Sequence, residues 1–169
     1  MVRSGFKQKS IEEVKAKQAA KRALRAATSP TTGFKAKKAS KSKVKVKTQA
    51  QLKKDLDAIF SIYIRQKYAD LHTGTVSCYT CSVVKHWKEI QNGHWIPRNI
   101  LATRFDEDNC RPQCVGCNMF NKGKPDIFAV NLLSDGIDIK ELSQRRRLTL
   151  KLDRHWYTAE IEKYKLLIT

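Results

Sequence analysis

The chain has 169 residues, with 34 Lys and Arg against 16 Asp and Glu, a formal net charge of +18 and 41% hydrophobic residues. That balance excludes a collagen-like or wholly disordered chain and leaves room for one compact domain plus a tail. No apolar run is long enough to span a membrane, and the basic N-terminus lacks the apolar stretch of a secretory signal. A cytoplasmic location is therefore expected. The charge calls for an anionic partner, nucleic acid before an anionic membrane surface.

Residues 1–50 hold 15 Lys or Arg against only Glu12 and Glu13. Phe6 and Phe34 are their only aromatics, so this third can bury little apolar surface against its ordering entropy. Residues 1–47 read as a basic arm. Within it, 10–27 are rich in helix formers, with Ser10 and Glu13 matching a capping box. Residues 28–47 carry Pro, Gly and scattered Lys and read as a flexible linker. Such an arm would bind phosphate without choosing sequence.

From residue 48 to 169 the composition is that of a folded domain. Thr48 and Gln51 form a second capping-box pattern, and Leu52, Leu56, Ile59, Phe60 and Tyr63 follow at partly helical spacing. These features predict an amphipathic helix over 48–70.

Four of the five cysteines form two C-x-x-C pairs, Cys78 with Cys81 and Cys114 with Cys117. Two residues between thiolates let one tight turn offer both sulfurs to one ion. Two such knuckles complete a tetrahedral four-thiolate zinc shell, which leaves no open position and is therefore structural. Two disulfides are the competing reading, disfavoured without a sign of an oxidising compartment. Cys110 is left over and reads as a small buried residue.

The stretch between the knuckles contains Gly93-His94-Trp95-Ile96-Pro97-Arg98 and Arg104-Phe105-Asp106-Glu107-Asp108-Asn109, and Asn118 directly follows the last Cys. A hairpin here would put His94 on one strand and Asn109 at the start of the return strand. His94 and Asn118 would then face each other across a cleft. Hydrolysis of a phosphodiester needs a base for water and a cation at the phosphoryl oxygens. A neutral His suits the first task, an oxygen-bound divalent ion the second, and Arg98 and Arg104 would clamp the non-bridging oxygens.

Farther on, Pro125 to Leu133 reads as a short helix with Gly136 as its C-cap. Residues 138–152 read as a second helix carrying Arg145, Arg146 and Arg147, and Thr158 as the cap of a last one.

C-x-x-C, G-H-x-x-P-R, R-F-x-x-x-N and C-x-x-C-N followed by Lys-Gly form a combination that resembles the HNH endonucleases. More narrowly, G-H-W-I-P-R and R-F-D-E-D-N-C-R-P-Q-C-V-G-C-N look like the phage NinG (Rap) recombination proteins. The resemblance runs over 48–169 and is densest at 78–124. It implies an α+β fold with a zinc-stabilised ββα-metal, treble-clef-like core at 76–124, helices over 125–169 and a basic N-terminal tail.

The resemblance further implies a metal-dependent DNA endonuclease. His94 corresponds to the general base and Asn109 to the residue that orients that histidine or its loop. Asn118 corresponds to the ligand of a catalytic Mg2+ or Mn2+ ion. The implied substrate is branched recombination DNA, such as Holliday junctions or D-loops. DNA contacts are expected from Arg98, Arg104, Lys122, Lys124 and Arg145–Arg147. Two nicks per junction would call for a homodimer, other recombination proteins are expected company, and the host cytoplasm is the expected place.

One residue departs from the pattern. Many HNH enzymes carry an acidic metal ligand just before the catalytic His, where this chain has Gly93. The second ligand would then come from Asp106, Glu107, Asp108 or His86. Two other readings compete with the nuclease: a zinc-stabilised DNA-binding module without catalysis, which Gly93 favours, and a structural member of a nucleoprotein complex.

Overall fold

The computed structural model describes residues 46–168, together with Ala20 and Ala23. The chain divides into two units, Met1–Val44 and Lys45–Thr169. In the first, Ala20 and Ala23 are helical and exposed. The rest of the 10–27 helix and of the 28–47 linker, apart from Val46 and Lys47, lies outside the described residues.

The second unit is α+β. Helix α1 (Gln49–Lys67) opens it. Thr48 caps the helix through the expected capping box with Gln51. Leu52, Leu56, Phe60 and Ile64 recur every fourth residue and are the buried face of α1. They pack on Tyr157, Ile161 and Tyr164 of the last helix, α5 (Arg154–Leu167), and Cys110 joins the same cluster.

Two small antiparallel hairpins follow. In the first, β1 (Thr75–Ser77) pairs with β2 (Val84–His86), and the first cysteine knuckle is the turn between them. In the second, β3 (Gln91–His94) pairs with β4 (Cys110–Gln113), with Gln91 opposite Gln113 and His94 opposite Cys110. The β3–β4 connection holds one helical turn, α2 (Leu101–Arg104), and a 3-10 turn at Glu107–Asn109. The first hairpin has no periodic signature in the sequence, because three-residue strands are too short to show one.

The second knuckle runs into a single π-helical turn, Gly116–Phe120. Helix α3 (Pro125–Ser134) comes next. Gly136, at φ +79°, and Ile137 close it as a Schellman motif, their N–H groups donating to Leu133 and Leu132. Phe128 and Leu132 of α3 meet Ile96 and Leu142 in a third apolar cluster.

Two C-terminal expectations are corrected. The 138–152 helix is only α4 (Ile139–Arg145), capped by Asp138. The chain then leaves the helix so that Leu152 can reach the α1–α5 core. Helix α5 starts at Arg154, not Thr158. Asp153 caps it by accepting from the Trp156 N–H at 2.8 Å, while the Thr158 hydroxyl donates back to the Arg154 carbonyl. A carboxylate three residues ahead of a free N–H outcompetes a hydroxyl already inside the turn.

Asn109 fixes the β3–β4 connection. It is fully buried. Its Oδ1 accepts from the Ile96 N–H at 2.7 Å, and its Nδ2 donates to the Ile96 and Thr103 carbonyls at 3.0 and 2.9 Å. Removing the carboxamide strands all three groups in an apolar setting. Asn109→Ala is therefore expected to lower the unfolding free energy by about 3 kcal/mol, read from chemical denaturation; a loss under about 1 kcal/mol would show that the loop does not depend on it.

Candidate metal centre and surrounding site

Cys78, Cys81, Cys114 and Cys117 come together with all four sulfurs within 4.8 Å of one another. Cys81 Sγ and Cys114 Sγ are 3.7 Å apart. Four sulfurs bound to one zinc at about 2.3 Å would sit about 3.8 Å from each other, so the set fits a tetrahedral ion. Among the described residues this is the one cluster of His, Cys, Asp and Glu that could hold a metal.

The sulfurs are not tuned alike: a Val83 N–H favours the Cys81 thiolate, but burial and the neighbouring sulfurs push that thiol up to about 12, and burial raises Cys114. Burial pushes the Cys78 thiol up, but N–H donors from Cys114 and Thr80 more than offset this and bring it down to about 6. The Cys114 N–H donates to Cys78 Sγ at 3.2 Å and the Cys117 N–H to Cys114 Sγ at 3.4 Å. Cys110 stands apart. It is fully buried against Phe60, and burial pushes its thiol up.

The β3–β4 hairpin alternates its side chains between two faces. On the face toward α1, His94 and Asn92 line a cavity of about 40 Å3 with Asp57, Phe60, Ser61 and Arg98. The space suffices for a water molecule, and Asn92 Oδ1 is buried without a protein partner. The His94 ring donates from Nε2 to the Arg104 carbonyl at 3.0 Å. In the neutral ring Nδ1 is then the acceptor. Burial pulls the His94 pKa down to about 4, and the Arg98 and Arg104 charges add to that pull.

Arg104 donates to both Asp57 oxygens, at 2.7 and 2.5 Å, and to the Arg98 carbonyl. Its guanidinium is thus fixed on Asp57 and not open to phosphate. Arg98 lies 3.4 Å from Asp57 but keeps 57% of its side chain exposed.

Asn118 belongs to the other side. Its Nδ2 donates to Gln91 Oε1 at 2.7 Å, whereas His94 points into the α1 cavity. The expected single cleft between His94 and Asn118 is therefore not what the hairpin builds. Gly93 sits on the Asn118 side, and its vacancy is filled. A Cβ there would meet Gln113 Oε1 at 2.1 Å. Gln113 is fully buried, and its Nε2 donates to Thr80 Oγ1 at 3.0 Å and to the Gly123 carbonyl at 2.8 Å. Those acceptors fix the amide's orientation and leave Oε1 buried without a partner.

The candidate second ligands are all engaged elsewhere. Asp106 and Asp108 pair with Arg145 at 2.9 and 3.0 Å. Glu107 takes Lys67 at 2.6 Å and the Tyr63 hydroxyl at 2.9 Å. Burial opposes its charge, but those donors hold the carboxyl below the usual range. His86 packs beside Trp87. The oxygen donors on the Asn118 side are carboxamides, Asn118 itself and Gln113. Gln113 escaped sequence reasoning because nothing in R-P-Q-C marks it; only the clash over Gly93 does.

Of the expected DNA contacts, Arg146, Arg147 and Lys122 are exposed and Lys124 is half-buried. Arg145 is bound to Asp106, Asp108 and Glu141.

Two outcomes follow from this geometry. Chelating the metal should cost the full chain the fold around both knuckles, seen as loss of near-ultraviolet dichroism and release of one zinc per chain; an unchanged spectrum after the zinc is gone would refute a structural role. A histidine with a depressed folded pKa adds stability above pH 6.5 that is lost as pH falls toward 4. Between pH 7.5 and 4.5 the wild type should therefore lose on the order of 2 kcal/mol more than His94→Gln. Equal losses in paired denaturation curves would show His94 to be solvated.

No curated protein and no solved structure matches the chain. A family model does, that of the bacteriophage lambda NinG protein, over residues 3–168. With nearly its whole length matched, the chain belongs to the bacteriophage lambda NinG protein family.

Proposed function

We infer that this NinG-family protein is a DNA endonuclease that cleaves phosphodiester bonds in branched recombination intermediates, with an HNH-type ββα-metal core at 76–124 and a basic arm at 1–47. The observation that carries this reading is the neutral His94, held by the Arg104 carbonyl, beside the exposed cation of Arg98 and a water-sized cavity. His94 Nδ1 takes the proton of the attacking water. Arg98 exchanges its loose contact with Asp57 for a phosphate oxygen, and Arg104 stays on Asp57 to hold the loop. A pKa near 4 keeps the ring unprotonated but makes it a weak base; the negative phosphate raises that basicity on binding.

A bound divalent ion would supply positive charge at the phosphoryl oxygens. Water and DNA phosphate would supply most of the shell of such an ion, which prefers to stay largely hydrated; Asn118 lies on the hairpin face opposite His94 and Gln113 Oε1 is fully buried, so neither carboxamide fits an ion at the phosphate that His94 serves. A second reading, a zinc-stabilised DNA-binding protein without catalysis, is favoured by one fact: Gly93 stands where an acidic ligand would precede the histidine, and Asn118 donates to Gln91 on the other face of the hairpin.

Strand cleavage of a labelled four-way junction, beside a linear duplex of the same sequence, separates the two. With Mg2+ or Mn2+ the protein should nick the junction in preference to the duplex, and His94→Ala should lose at least 100-fold in rate, as expected for a lost general base, while keeping its DNA affinity. The acid limb of kcat/KM should lie well below pH 6.5, because free His94 titrates at about 4. Intact DNA under every metal, with binding retained, would leave the binding-module reading in place.

A further inference from the structure

The surface next to Asn118 carries an apolar pair that neither the zinc site nor the proposed chemistry uses. Met119 is 64% exposed and Phe120 80% exposed. They lie consecutively at the end of the π-helical turn Gly116–Phe120. A lone exposed apolar residue is ordinary; here two adjacent large ones stand on a turn tied to the cysteine cluster.

The tip is rigid for identifiable reasons. At its start, Cys117 belongs to the four-sulfur cluster, and the Asn118 N–H donates to the Cys114 carbonyl at 2.9 Å. At its end, the Asn121 N–H and Nδ2 both donate to the Gly116 carbonyl, at 3.0 and 2.8 Å. The Gly123 N–H returns to the Cys117 carbonyl at 2.9 Å. Lys122, Gly123 and Lys124 then run through three left-handed conformations, with φ of +50°, +79° and +46°. Two non-glycine residues held there mark stored strain of the kind found at binding sites.

The charges around the tip select its partner. Lys122 and Lys124 follow Phe120 within a turn of chain. An apolar protein groove would have to desolvate those ammonium groups, whereas a polyanion takes them at once. Nucleic acid offers both halves of what this surface asks for: phosphates for the lysines and base faces for the apolar side chains.

We propose that Met119 and Phe120 form a wedge that enters DNA between adjacent bases, with Lys122 and Lys124 seated on the flanking phosphates. A branch point is the step it fits best, because stacking there is already interrupted and parting the bases needs least work. The proposal deepens the DNA reading above and rests on DNA binding, not on cleavage.

The test uses the full-length, zinc-loaded protein without added Mg2+ or Mn2+, so that the DNA stays whole. A four-way junction with 2-aminopurine at the branch reports unstacking by fluorescence, and anisotropy of an end label reports binding. Wild type should raise the fluorescence several-fold at the branch and much less within a linear duplex. Phe120→Ala should lose most of that rise, and Met119→Ala with Phe120→Ala all of it. Phe120→Leu should keep part of it. The double variant should bind the junction roughly ten-fold more weakly with an unchanged salt slope, whereas Lys122→Ala with Lys124→Ala should flatten the slope.

Binding by wild type without a fluorescence rise overturns the wedge, as does an undiminished rise in the double variant. If the double variant instead alters sedimentation while unstacking persists, the pair is a protein contact and the proposal falls. No binding by wild type removes both this proposal and the nuclease reading. Binding and unstacking without later cleavage in Mg2+ leaves the wedge standing and removes only the nuclease.

Discussion

Four thiolates clasping one ion would join two segments that are otherwise tied by a few hydrogen bonds, Tyr79 N–H to the Pro112 carbonyl at 2.9 Å and Gln113 Nε2 to Thr80 Oγ1 at 3.0 Å among them. Cys78 and Cys81 sit in the turn of the first hairpin, and Cys114 and Cys117 bracket the end of β4 and the π-helical turn. Between Cys81 and Cys114 lie 32 residues that include the second hairpin's first strand, the Asn109-pinned connection and His94. Closing a loop of that length is entropically unfavourable, and the apolar cluster around the sulfurs is small: Val76 and Ile90, with Trp87 and Ala69 at its edge. Metal ligation supplies what this cluster lacks. Backbone N–H groups aimed at Cys78 and Cys114 sulfurs then favour the thiolate form that the ion requires.

Given that clasp, the two faces of the second hairpin take on different electrostatic characters. The α1 face holds the ionic groups, Asp57 under Arg104 and Arg98 with His94 beside them. The opposite face is carboxamide and glycine: Gln91, Gly93, Gln113 and Asn118. Gly93 and Gln113 act as one unit across the strands. The buried amide occupies the space that a side chain at 93 would need, so an acid at 93 is excluded by packing before any question of chemistry arises. The residue at 93 is thus constrained by its cross-strand neighbour Gln113.

What could be read ahead of the structure was whatever a local rule determines. The Thr48–Gln51 box and the four-residue recurrence from Leu52 to Ile64 specify α1, and C-x-x-C spacing specifies the knuckles. The α3 stop at Gly136 is equally local. What could not be read depends on partners distant in sequence. Helix α4 ends at Arg145 because Leu152 is wanted in the α1–α5 core, a demand that propensity does not register. Asp106, Glu107 and Asp108 look like a ready ligand set in one dimension, yet Arg145 and Lys67 claim them from 39 and 40 residues away. His94 and Asn118 look like a pair until strand alternation sends them to opposite faces.

The same sorting applies to the basic residues, and it limits how this unit can meet a polyanion. Arg104, Arg111 and Arg145 are held by Asp57, by Asp135, and by the trio Asp106, Asp108 and Glu141. Arg111 is also enclosed between Tyr68 and Tyr79, with its guanidinium 5.1 and 5.3 Å from their rings. Freeing Arg104 or Arg145 would leave the half-buried Asp57 or Asp106 uncompensated, a penalty for one phosphate contact, and Arg111 is itself buried. On the proposed DNA reading, contact would fall to cations nearer the surface, among them Arg98 at the His94 cavity, Lys122 and Lys124 after the apolar tip, and Arg146 and Arg147 past α4. Such contacts are individually weak and screened by salt. On that reading they would place the unit on DNA without by themselves choosing a structure in it. If the proposed DNA binding holds, a preference for branched DNA must then arise where apolar surface or a shaped cavity meets the bases, and the Met119–Phe120 tip is a feature that combines exposed apolar area with nearby positive charge.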